Sequence, residues 1–159
     1  MRFLKVIFSF LIMGVLSSCL SDDGNEQYEQ IREEGIAFLE SNKLRDEVVV
    51  TASGLQYVIV TEGNDIYPSE RDNVTVHYHG TTPDGTVFDS SVDRGQPASF
   101  TLNQVIKGWT EGLQLMGEGA KYTFYIPQEL AYGANPRPGG VIKPFMPLVF
   151  EVELIKVNR

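Results

Sequence analysis

The chain has little of what many catalysts depend on. One cysteine in 159 residues excludes an internal disulfide. Two histidines, His77 and His79, leave poor material for a metal centre. They sit i, i+2 on one strand face, but no third ligand follows at a convincing spacing, so no metal is expected. No Ser/His/Asp order with a nucleophile elbow is present. Basic residues are outnumbered: 13 Lys and Arg against 21 Asp and Glu give a net charge of −8. That balance argues against nucleic acid as a partner and against electrostatic docking on an anionic bilayer. Internal repeats and low-complexity tracts are also missing. What remains is an ordinary globular composition, 42% hydrophobic, enough for one domain with a modest appendage.

The longest apolar run, Val6 to Leu16, is too short to span a bilayer. Arg2 and Lys5 precede it and small residues follow, the pattern of a secretory signal peptide. Leu16-Ser17-Ser18-Cys19 resembles the lipobox of bacterial lipoproteins, in which the cysteine becomes the lipidated first residue of the mature chain. Residues 1–18 are therefore expected to be a signal peptide. Acyl chains (palmitate among them) on Cys19 are expected to anchor the protein, each buried methylene contributing about 0.8 kcal/mol. Asp22 and Asp23 fit either a surface-export signal or a solvated tether. The expected location is the cell envelope, at the outer membrane, periplasmic or surface-facing.

Residues 19–50 read as a lipidated tether and a short helix. Tyr28, Ile31, Phe38 and Leu39 predict that helix over 27–44, with Gly35 weakening it. It is too short for a convincing coiled coil, so it is expected to lie on the main domain and the protein to be a monomer. From residue 51 the chain alternates strands and turns. Val48–Val50, Leu55–Val60, Asn73–Gly80, Thr86–Asp89, Lys121–Pro127 and Leu148–Val157 read as strands, Ala98–Leu102 as the lead into a helix, and Gln128–Ala131 as a helical turn. Val74, Val76 and Tyr78 share one face, as do Tyr122, Phe124 and Ile126, and again Leu148, Phe150, Val152 and Leu154.

One amphipathic segment interrupts the strands. Val105, Ile106, Trp109, Leu113 and Met116 recur at helical spacing, which predicts a helix over Asn103–Gly117. Asn103 is placed to cap its start and Gly117 to end it in a left-handed conformation. A lone helix among strands should bury its apolar face in the concavity of a twisted sheet. Tyr78, Phe88, Phe100, Trp109, Tyr132 and Phe150, with Val105 and Ile106, then converge on an aromatic-lined hollow, with Asp89 and the Tyr132 hydroxyl beside it. Singly, each ring would be ordinary core. Tyr132 to Pro147 carries four prolines and three glycines yet also Val141, Ile142, Phe145 and Met146, so it is expected to fold over something.

His77-Tyr-His-Gly80, Phe88-Asp-Ser-Ser91, Asp93-Arg94, Val105-Ile-Lys-Gly-Trp109, Ala131-Tyr-Gly133 and Leu148-Val-Phe-Glu-Val-Glu-Leu154 resemble FKBP-type peptidyl-prolyl cis-trans isomerases (rotamases), in order, over about residues 53–157. The resemblance implies an α+β fold: a five-stranded antiparallel sheet wrapped around one short α-helix, here preceded by the N-terminal helix, in an isomerase domain of residues 51–159. It implies that Tyr78, Phe88, Asp89, Trp109, Tyr132 and Phe150 carry catalysis, with Trp109 beneath the proline ring and Tyr132 reaching a ligand carbonyl. Phe100, Val105, Ile106, Arg94, Val141 and Ile142 complete substrate binding, Ile106 through its backbone N–H. No cofactor is implied. The implied ligands are proline-containing polypeptides of exported proteins and macrocyclic inhibitors.

The chain departs from the family pattern in three places. An aromatic wall position is Ala98, expected to widen the pocket. A Glu before the Val-Ile pair is Gln104. A flap His is replaced by the neighbourhood of Arg137, in a flap about one residue longer. Ala98 favours an alternative in which the domain holds proline segments as a chaperone with little turnover.

Overall fold

The computed structural model describes residues 23–159; the expected signal peptide and Cys19 lie outside the described residues. Helix α1 spans Asp23–Asn42. It begins four residues before the expected start and ends two short of the expected end, where Lys43, Leu44 and Arg45 close tight turns onto Leu39, Ser41 and Asn42. It lies on the domain, as expected. Gln56 fixes its C-terminal end: its amide donates to the Leu39 carbonyl at 2.9 Å and its oxygen accepts from buried Asn42 at 2.8 Å. Phe38 tilts onto Tyr125 at 6.1 Å between ring centres.

Seven strands follow: β1 Val49–Val50, β2 Gln56–Thr61, β3 Asn73–Thr81, β4 Val87–Ser90, β5 Ala98–Thr101, β6 Lys121–Ile126 and β7 Leu148–Asn158. Every pairing is antiparallel, in the order β1-β2-β6-β7-β3-β4, with β5 also on β3. The long strand β3 pairs with β7 along its whole length, from Asn73↔Asn158 to Thr81↔Val149. Its other edge is shared: β5 takes Asn73 to Val76 and β4 takes His79 to Thr81. These two short strands form one row broken by a loop, and β1 is a two-residue addition. The full rows number five, the expected architecture.

The alternating faces are as read. Val74, Val76, Phe124, Ile126, Leu148 and Leu154 are fully buried, and Tyr78, Tyr122, Phe150 and Val152 nearly so. The predicted helix over 103–117 is corrected. Leu102–Gln104 form a 3-10 turn, Val105 is extended, and Ile106 is the N-cap of α2, which spans only Lys107–Leu113. Asn103 makes no side-chain cap. Two adjacent β-branched residues, Val105 and Ile106, favour extended backbone over another helical turn. Gly117 does not adopt a left-handed conformation; that falls to Gly119, at φ 89°. Gly117 is needed for a close approach instead, since a Cβ there would stand 1.9 Å from the Asn64 carbonyl oxygen. Helix α2 lies against β6, where a Cβ at Gly112 would meet the Phe124 ring at 2.6 Å.

Candidate active site

Above α2 the sheet leaves an open cleft of about 890 Å³. Trp109, 4% exposed, forms its floor. Tyr78, Phe100 and Phe150 meet the indole edge-on, with centroids 5.3, 5.5 and 5.2 Å away and planes 82°, 89° and 77° apart. Edge-to-face contacts of this kind suit the aromatic quadrupole and hold each ring in one orientation. Phe88 meets Phe150 in the same way at 5.3 Å. The rings thus pack on one another and on the floor without a ligand. Among the described residues, the Trp109 indole nitrogen is the buried side-chain polar atom without a hydrogen-bond partner.

Strand and helix ends place these groups. Tyr78 alternates inward from β3, Phe150 from β7 and Phe100 from β5, while Trp109 stands in the first turn of α2. Gly80 makes room for the pair above it: a Cβ there would lie 2.7 Å from the Phe88 ring and 2.8 Å from that of Phe150. Val105 and Ile106 line the cleft just before the helix. As N-cap, Ile106 gives its carbonyl to the N–H groups of Trp109 and Thr110 at 3.0 and 3.1 Å. Its own N–H takes no part in the helical ladder.

One polar constellation borders the rings. The Tyr78 hydroxyl donates to Asp89 at 2.5 Å and accepts from the Arg94 guanidinium at 2.9 Å. Arg94 also pairs with the other Asp89 oxygen. Burial disfavours the Asp89 charge, but the bonds from Tyr78 and Arg94 and the Arg94 charge together outweigh it, holding the carboxyl below its usual value. Burial first, and the bond to Asp89 second, push the Tyr78 phenol upward, with Arg94 opposing. Asp89 is thus an ionised acceptor, oriented and charge-paired by Arg94, not a base awaiting a proton.

Of the residues read from the sequence, Tyr78, Phe88, Asp89, Phe100, Val105, Ile106, Trp109, Tyr132, Val141, Ile142 and Phe150 all line the cleft. Arg94 does not line it and acts through Asp89 and Tyr78. Tyr132 stands at the rim, 42% exposed. Gln104 and Arg137, noticed only as departures, also line the cleft, as do Pro136 and Gly140, which the reading missed. The density of proline and glycine between 132 and 147 was the signal for the last two. Ala98 pairs with Val76 at the start of β5, and its short side chain does not reach the lining. His77 and His79 face away from the rings, near Ser91 and Ser90 at 3.1 and 2.9 Å.

Comparison with known proteins places this geometry. Residues 64–155 match the family described as FKBP-type peptidyl-prolyl cis-trans isomerase, and residues 12–59 match the domain amino-terminal to it. The FKBP-type 22 kDa peptidyl-prolyl cis-trans isomerase of Escherichia coli is 48% identical over 132 residues, 83% of this chain and 64% of that protein. The outer membrane protein MIP of Legionella longbeachae is 46% identical over 140 residues, 87% of this chain and 59% of that protein. This chain thus spans about three-fifths of the length of these relatives. The crystal structure of FkpA from Escherichia coli superposes with a TM-score of 0.81 at 40% identity, covering 86% of this chain and 63% of that one. The chain belongs to the FKBP-type peptidyl-prolyl cis-trans isomerase family.

Proposed function

We propose that this protein is a peptidyl-prolyl cis-trans isomerase that turns X–Pro bonds in exported polypeptides and so assists their folding. The observation that carries the reading is a ring-walled cleft floored by a buried indole, whose one carboxylate is already paired with an arginine. The X–Pro bond turns over a barrier of about 18–20 kcal/mol, and unaided turnover takes roughly tens to hundreds of seconds. No covalent bond changes, so no nucleophile or strong base is needed. The site has only to hold the proline ring and fit the twisted amide better than the planar one.

The residues fit that task. Trp109, Tyr78, Phe100 and Phe150 receive the pyrrolidine ring. The Ile106 N–H and the Tyr132 hydroxyl take the flanking carbonyls of the peptide. Planar amide resonance places charge on the carbonyl oxygen, which an apolar enclosure solvates poorly. Twisting returns the lone pair to nitrogen and lowers the dipole, so walls of Phe88, Phe150, Val141 and Ile142 favour the twisted form. Asp89, oriented by Tyr78 and Arg94, faces the turning bond with a fixed dipole instead of a transferable proton.

Residues 1–18 act as a signal peptide, residues 19–50 as lipidated tether and helix, and residues 51–159 as the isomerase domain. Lipid on Cys19 holds the protein at the cell envelope. The relative named as an outer membrane protein supports that location. Among the described residues, no helix is long and apolar enough to cross a membrane. A protease-coupled assay on a proline tetrapeptide tests the activity: the protein should speed the slow cis-to-trans phase in proportion to its concentration. A rate equal to that of buffer alone refutes the reading.

A further inference from the structure

The flap over the cleft has a base, and α1 rests on it. Residues 134–144 stand between Gly133 and Phe145, and the Phe145 N–H donates to the Gly133 carbonyl at 2.9 Å. Gly133 directly follows Tyr132, so the tie that closes the loop also holds the rim tyrosine. Phe145 has φ 63°, the one positive φ outside glycine among the described residues. A bulky side chain keeps that conformation only where its surroundings impose it. Those surroundings include α1: the Arg32 guanidinium lies over the Phe145 ring, 5.7 Å from its centre. One turn on, a Cβ at Gly35 would stand 2.6 Å from Pro147 Cδ and 3.7 Å from the Phe145 carbonyl oxygen. A glycine inside a helix weakens it. Here it permits a close approach of α1 to the loop.

We propose that Arg32 and Gly35 are positioning residues for the cleft: through them α1 seats Phe145 and Pro147, and the seat sets Tyr132 and the Val141–Ile142 tip over the bound proline. Neither residue lines the cleft, and both act through the backbone of the loop. The inference rests on the isomerase reading for what the cleft binds. It predicts that affinity for a proline peptide depends on a helix outside the binding site.

The test uses the full chain with Gly35→Ala, Arg32→Ala and Arg32→Lys. Alanine is the better helix former, so Gly35→Ala keeps α1 while its methyl group wedges the helix off Pro147. The single Trp109 on the floor reports binding of a Leu-Pro tetrapeptide by fluorescence. The dissociation constant should rise about threefold or more in Arg32→Ala, the scale of a lost cation–π contact, and should rise also in Gly35→Ala. Arg32→Lys should retain most of the affinity. Amide hydrogen exchange should quicken at residues 133–145 and stay unchanged in β3, β6 and β7. Wild-type affinity and wild-type flap exchange in both Gly35→Ala and Arg32→Ala would overturn the proposal. So would faster exchange spread evenly over the sheet, which marks general loss of stability. Turnover is not read in this experiment. A wild-type chain that binds the peptide without speeding isomerisation fails the isomerase reading alone, and the variants still decide the seat.

Discussion

Trp109 belongs at once to the core and to the cleft. Three rings hold it edge-on from the sides, and its upper surface is the floor. Trp109→Ala should therefore cost about 3–5 kcal/mol in denaturant unfolding and abolish peptide turnover. Unchanged turnover would remove the indole from the site. Asp89 gives a pH prediction with a definite sign. Its carboxyl is held below the usual value in the folded chain, so its contribution to stability is present above the ordinary carboxylate range and is lost as pH falls through the depressed folded value. Thermal melts should thus show no loss through Asp89 at neutral pH and a progressive loss below about pH 4. In Asp89→Asn the acid-side loss should be smaller. At this scale the rings were legible, because each stands at an inward strand position or in the one amphipathic segment. That Arg94 stands beside Asp89 was legible from the family pattern, but its place outside the lining was not: spacing cannot say which way a loop guanidinium turns. Pro136 and Gly140 lie in a loop with no period to read.

The elements show where periodicity misleads. Val105, Ile106, Trp109, Leu113 and Met116 do keep to the buried side of the chain or near it, yet only Lys107–Leu113 is α-helix. A 3-10 turn and an extended pair can carry apolar residues along the same side, so the pattern records the side and not the dihedral angles. The short helix is held by closeness to β6, and that yields a prediction against simple propensity. Gly112→Ala would gain about 1 kcal/mol of helix propensity. Its methyl group would meet the fully buried Phe124 ring at 2.6 Å, and overpacking costs about 1–3 kcal/mol. The melting temperature should fall; a rise would show that α2 is free to lift from the sheet. The five rows were legible as alternating runs. The division of one row between β4 and β5 was not, since it follows from the length of β3, which runs past both.

At the scale of the whole molecule, the fold makes a firm enclosure and leaves the chemistry to solvation and fit. The net charge of −8 offers an anionic bilayer nothing to attract it; on the proposed acylation of Cys19, Cys19→Ser should move the protein from the membrane fraction to the soluble one. The central claim concerns what the enclosure does not do. On the proposed mechanism proton transfer has no part in it, because the cleft carboxylate is already paired and the histidines face elsewhere. The most direct test is kcat/KM for a proline tetrapeptide measured from about pH 6 to pH 8, the range in which histidine titrates. The account predicts a level profile. A tenfold change per pH unit, centred near the histidine value of about 6.5, would contradict it.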